Sequence, residues 1–127
     1  MEYKEEAVSL IAQNKEKLGL DNIEIVSGKA PDGLEELPVP THAFIGGSSG
    51  QMKEILSALY QKNSQMRVVI NAISMETICE IKEVLSAFPI QNEDVVQIQA
   101  SRAKRVGTYH LMQAENPVWI CSFDFCG

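Results

Sequence analysis

The sequence predicts an α/β fold whose sheet is mostly parallel and closes on an antiparallel strand pair. Two observations predict it. Stretches with apolar residues three and four apart alternate with short β-branched runs, the arrangement that gives right-handed crossovers and a parallel sheet. Near the end, two strand patterns follow one another with no helical pattern between them, so they should pair antiparallel. With 127 residues, 45% of them apolar and 22% charged, the chain suits one compact domain with a core of its own.

Each element has its own signal. Residues 4–18 read as a helix, with Ala7, Leu10, Ile11, Asn14 and Leu18 on one face and Gly19 ending it. Ile23–Val26 reads as a strand ended by Ser27-Gly28. Pro31, Pro38 and Pro40 make 29–41 a loop, with one helical turn expected at 33–37. Ala43-Phe44-Ile45 is a brief strand running into Gly46-Gly47-Ser48-Ser49-Gly50. Met52, Ile55, Leu56, Leu59 and Tyr60 share a helix face, and Ser49 is the expected N-cap. Val68-Val69-Ile70 has the continuous apolar character of a strand covered on both faces. Ser74 should cap a helix that turns Ile78, Ile81, Leu85 and Phe88 inward. Residues 95–100 and 118–123 are the terminal strand pair, separated by a turn-rich segment.

Composition excludes several function classes. A formal charge of −6 argues against a nucleic-acid binder, which needs a basic face for phosphates. No apolar run reaches the length of a membrane span, and the charged start Met1-Glu2-Tyr3-Lys4-Glu5-Glu6 precedes no signal segment. Cys79, Cys121 and Cys126 are an odd number without C-x-x-C spacing, which reads as buried thiols in a reduced, cytoplasmic protein. His42 and His110 form no metal pattern.

In an open parallel sheet, ligands bind beyond the carboxyl ends of the strands. Three segments fall there: Gly28-Lys29-Ala30-Pro31, Gly46–Gly50 and Asn71-Ala72-Ile73-Ser74. The glycine segment allows close backbone approach and leads into a helix start, whose unpaired N–H groups suit a carboxylate. It matches neither nucleotide-phosphate loop pattern, and a plain tight turn accounts for it equally well. Arg102, Lys104 and Arg105 form a basic cluster that either attracts a polyanionic substrate or is a solvated turn. Glu76 sits in a helix first turn, where the dipole favours a carboxylate in any case.

Taken together, Gly28-Lys29-Ala30-Pro31, Leu37-Pro38, Phe44-Ile45-Gly46-Gly47-Ser48-Ser49-Gly50, Asn71-Ala72-Ile73-Ser74-Met75-Glu76 and Asn116-Pro117-Val118 resemble the decarboxylating precorrin-6Y C5,15-methyltransferases of cobalamin biosynthesis. The likeness is to their C-terminal, decarboxylating part and covers nearly the whole chain. It implies an incomplete class I (Rossmann-like) methyltransferase sheet with S-adenosylmethionine as methyl donor. It also implies methylation of a tetrapyrrole, a precorrin, with loss of carbon dioxide from an acetate arm. By the same resemblance, Glu2 corresponds to the acidic residue that bonds the ribose hydroxyls, and Gly28, Lys29 and Ala30 to the backbone beside the adenine. Gly46 and Gly47 border the methionine end of the cofactor. Ser48, Ser49, Gly50, Arg102 and Arg105 are the expected partners of the substrate carboxylates. No general acid or base is assigned, since decarboxylation of an electron-poor tetrapyrrole can rest on orientation alone.

The sequence also departs from that family. Family members carry a first strand, a glycine-rich cofactor loop and a helix upstream of the acidic residue, which here is Glu2. The expectation is therefore a C-terminal portion of a methyltransferase domain, with weak or absent cofactor binding and no activity of its own. It is expected to re-pair the Ile23 strand or to form a homo-oligomer through exposed edges. Ser49 stands where a glycine is usual, and Asn63-Ser64-Gln65-Met66 replaces a Pro-Gly-Gly turn. Two alternatives remain: a class I methyltransferase of another small molecule, or a non-catalytic remnant acting in assembly.

Overall fold

Helix α1 (Glu5–Leu18) has the acidic first turn and basic last turn that suit the helix dipole. Gly19, at φ +61°, ends it: the Gly19 and Leu20 N–H groups donate back to Glu16 and Lys15. The computed structural model describes residues 1–127, which form two compact units, Met1–Pro38 and Val39–Gly127.

No residue of α1 is buried, and one expectation for the first unit is corrected. Ile23–Val26 is not a strand, and it is not re-paired as one. A single parallel bridge joins Glu2 to Ser27, with Glu2 N–H donating to Val26 and Gly28 N–H to Glu2. β-Branched residues express a fit to a neighbouring strand rather than a backbone preference. A one-bridge contact offers neither a ladder nor a surface for the α1 face. The expected helical turn is present as a short 3-10 segment, Leu34–Glu36.

The second unit carries the sheet. Its elements are β1 (His42–Ile45), α2 (Met52–Lys62), β2 (Arg67–Ala72), α3 (Met75–Leu85), β3 (Ile90–Ile98), β4 (Ser101–Val106), β5 (Tyr109–Ala114) and β6 (Val118–Phe125). The order in the sheet is β1-β2-β6-β3. β1 and β2 are parallel, joined through α2, and β6 runs antiparallel to both β2 and β3. The terminal antiparallel pair is thus present, and β6 also lies directly against β2.

One sheet face holds the core. Val68, Ile70 and Ala72 of β2 stand opposite Phe123, Cys121 and Trp119 of β6, and all but Trp119 are buried. Met52, Ile55, Leu56 and Leu59 of α2 and Ile81 and Val84 of α3 are buried with them. Phe125, 1% exposed, gathers Tyr60, Phe88 and Phe123 with ring centroids 5.0–5.6 Å away. Ser74 caps α3 as expected, accepting from Thr77 N–H. Ser49 does not cap α2. The helix starts after Gln51, which makes no side-chain cap.

The segment expected to be turn-rich is a hairpin. β4 and β5 form a separate two-stranded sheet. Gly107, at φ +62°, takes the first position of the two-residue turn, where a left-handed residue matches the strand twist. Of the three cysteines, only Cys121 is buried. It lines a groove of about 370 Å³ between α3 and β3–β6, with Ile78, Ile81, Leu85, Val95 and Trp119. Burial chiefly, with Glu93 and Asp94 adding, pushes its thiol up to about 11, so it stays protonated and inert at neutral pH.

At the far end of the sheet, Arg67 donates to Asp124 at 2.9 Å and Asn92 donates to the other carboxylate oxygen at 2.8 Å. The Asn92 and Arg67 hydrogen bonds hold the Asp124 carboxyl below its ordinary 3.8 against a smaller opposing effect of burial. Its stabilising contribution is therefore complete above about pH 4 and is lost as pH falls through the lowered folded value. The stability gap between the parent and Asp124→Ala is expected to be widest near neutrality and to narrow below about pH 4. Urea unfolding at pH 6 and pH 3 checks this; a gap equal at both would contradict it.

Candidate functional site

Glu2 stands just ahead of α1, and its Oε1 accepts the N–H groups of both Tyr3 and Lys4 at 2.9 Å. The Lys4 N–H chiefly, with Tyr3 N–H and the Lys4 charge, lowers the carboxyl below its ordinary range while burial opposes. The group is thus an anion with one oxygen committed, and Oε2 is left to accept from a ligand hydroxyl. Residue 28 follows the Ser27 bridge, and its N–H is tied to Glu2. No atom lies within 4 Å of where a Gly28 side chain would begin. Lys29 places Nζ 5.9 Å from the Tyr3 ring centroid, a cation–π contact. Ala30 precedes Pro31 through a cis peptide and is half-buried. The first unit therefore holds Glu2 beside the 27–28 bridge.

In the second unit, Gly46–Gly50 leaves the carboxyl end of β1 and enters α2. Ser49 at φ +50° and Gly50 at φ +80° are both left-handed. The serine stands there at a cost that glycine would not incur. Gln51 N–H closes a turn on Ser48 C=O at 3.0 Å. The N–H groups of Gly47, Ser48, Ser49 and Gly50 donate to no acceptor in the chain. Ser48 is buried, and its hydroxyl donates to Glu80 Oε2 of α3 at 2.9 Å. The side-chain oxygen of Gln51 is buried without a partner. Asn71–Ser74 leaves the carboxyl end of β2, and Ser74 is spent on the α3 cap.

The basic cluster lies on the hairpin. Arg102 is 3.8 Å from Glu115, and Arg105 donates to Gly107 C=O. All residues of β4 and β5 are exposed, and no hydrogen bond or ion pair joins these arginines to Gly46–Gly50. Glu80 was not foreseen. It lies 32 residues from Ser48, and a charged residue on a helix carries no local signal of such a bond. No group of His, Cys, Asp and Glu could hold a metal ion, and no helix is long and apolar enough to cross a membrane.

Comparison with known proteins agrees with the resemblance read from the motifs. A probable cobalt-precorrin-6B C(15)-methyltransferase (decarboxylating) of Pyrobaculum calidifontis is 35% identical over 121 residues, covering 94% of this chain and 62% of that protein. The protein of the same name from Saccharolobus solfataricus is 31% identical, covering 96% and 63%. The crystal structure of precorrin-6y C5,15-methyltransferase from Geobacter metallireducens superposes with a TM-score of 0.86 at 28% identity, over 96% of this chain and 64% of that one. The chain thus spans somewhat under two thirds of the length of these relatives. The family model of the precorrin methyltransferase domain matches residues 1–124, and the chain belongs to that family.

Proposed function

We propose that this chain contributes to an S-adenosylmethionine-dependent methyl transfer to a precorrin, coupled to loss of carbon dioxide from an acetate arm. The observation that carries the reading is the Gly46–Gly50 loop, with its successive unspent N–H groups at the carboxyl end of a parallel strand. When bound, the cofactor supplies an electrophilic methyl group on a sulfonium. The chain's own residues bind and orient. Glu2, held ionised, suits the ribose hydroxyls through its second oxygen, and the backbone at Gly28, Lys29 and Ala30 suits the adenine edge. Gly46 and Gly47 suit the methionine end. Ser48, Ser49 and Gly50 N–H groups suit a substrate carboxylate, as amides at a helix start do. Arg102 and Arg105 are exposed cations suited to the outer carboxylates. Fit to the cofactor is partial. Only one glutamate oxygen and a few backbone groups are on offer, so affinity for S-adenosylhomocysteine is expected near millimolar, about −4 kcal/mol.

Amide chemical-shift mapping with millimolar S-adenosylhomocysteine tests this. Shifts should concentrate at Tyr3, Gly28–Ala30 and Gly46–Gly50. Shifts spread elsewhere, or equal shifts with ATP, would sink the reading. The same proposal includes a homo-oligomer. The second sheet face exposes Phe44, Val96 and Ile98, and the hairpin exposes Val106, Tyr109, Leu111 and Met112, apolar side chains that a second copy of the chain would cover.

A further inference from the structure

We propose that Glu80 is a positioning residue for the Gly46–Gly50 loop, acting through Ser48; the inference rests on the methyl-transfer reading for what the loop binds. Three observations lead to it. The loop holds two successive left-handed residues, Ser49 and Gly50. A non-glycine residue in that region persists only where its surroundings impose it. The local device that would impose it is absent, because α2 has no side-chain cap at Gln51. The tie comes from another element instead. Ser48 is the one buried polar side chain of the chain, and it donates to Glu80 Oε2 at 2.9 Å. The other carboxylate oxygen lies 3.9 Å from where a Gly50 side chain would begin. One carboxylate thus sits against both ends of the Ser48–Gly50 turn.

A hydrogen bond of this kind is directional. It draws the Ser48 side chain to α3 and leaves the Ser48–Gly50 backbone N–H groups unspent, which is the state a carboxylate ligand needs. Glu80 needs no contact with ligand for this. Its effect passes through Ser48, and the acceptor oxygen matters more than the charge. Glutamine at this position keeps an acceptor at the same reach, whereas alanine leaves the buried serine hydroxyl unpaired.

The test uses the 127-residue chain as Glu80→Ala, Glu80→Gln and Ser48→Ala. Hydrogen exchange at the Gln51 amide, which closes the turn on Ser48, is the direct readout. Exchange is expected to rise about tenfold in Glu80→Ala and Ser48→Ala and to return to the parent rate in Glu80→Gln, with β2 amides unchanged. The affinity for S-adenosylhomocysteine, read from Gly47 and Gly50 shifts, should fall about fivefold in Glu80→Ala and recover in Glu80→Gln. An unchanged Gln51 rate in Glu80→Ala overturns the proposal. So does a general loss of protection across β2 and α3, which marks a purely structural bond. A parent chain that gives no ligand response, while Gln51 exchange rises in Glu80→Ala as expected, sinks the methyl-transfer reading and upholds Glu80 as the loop's positioning residue.

Discussion

Replacing Phe125 by alanine is expected to cost about 3–5 kcal/mol of folding stability. The ring is 1% exposed and lies within 5.0–5.6 Å of the Tyr60, Phe88 and Phe123 rings. These rings come from α2, the segment after α3 and β6 itself. Deleting Phe125 removes its own burial and leaves a cavity among three rigid neighbours that cannot collapse fully into it. A domain of ordinary stability has about 5–15 kcal/mol in hand, so the variant should be close to unfolding at room temperature. Phe125→Leu fills much of the space and should cost far less. Urea unfolding followed by tryptophan fluorescence decides it. Equal losses for alanine and leucine would show that the ring contacts matter less than the geometry implies.

Introducing two lysines, Val96→Lys with Ile98→Lys, is expected to convert a self-associated chain into a monomer. Val96 stands opposite Ile120 and Ile98 opposite Val118, all on the sheet face turned away from α2 and α3. They are 41% and 54% exposed. β3 pairs only with β6, so its outer edge offers unpaired backbone groups as well. Glu93 and Asp94 protect the start of that edge, while Val95–Ile98 has no charge of its own. A lysine on an edge strand is a device that natural proteins use to prevent edge pairing. The substitutions lie on exposed positions, so the folded unit should survive. Sedimentation velocity at about 100 μM, a concentration well above a micromolar dissociation constant, distinguishes the two states. A parent chain that is already monomeric there would remove the oligomer from the proposal.

Much of the second unit was legible because its signals are local. Ser74 three residues before Thr77 announces a cap, and the structure uses it. The α2 face of Met52, Ile55, Leu56 and Leu59 is buried as its spacing requires. The antiparallel partnership of β3 and β6 followed from the absence of a helix between them. The failures are places where a local signal depends on a distant partner. Ile23–Val26 has strand-forming residues and no ladder to join. Ser-Arg-Ala-Lys-Arg-Val and Tyr-His-Leu-Met-Gln-Ala are too polar to read as buried strands, yet Gly107-Thr108 between them was a hairpin signal that went unused. In the candidate site, the Gly46–Gly50 loop and Glu2 are expectations drawn from motif and resemblance. The Ser48–Glu80 bond and the Arg67–Asp124–Asn92 cluster were not legible, because each joins residues far apart in sequence through geometry alone.

The position of β6 has a consequence for how the molecule assembles. β2 and β3 do not pair with each other; β6, the last of the strands in the sequence, stands between them and pairs with both. A nascent chain can form α2, α3 and the β1–β2 pair early, but their apolar faces must wait for residues 118–125 to close over them. Such long-range closure is slow, and it leaves strand edges open meanwhile. The quality of the final product then depends less on how strongly each piece folds than on how long the chain remains soluble before its last strand arrives.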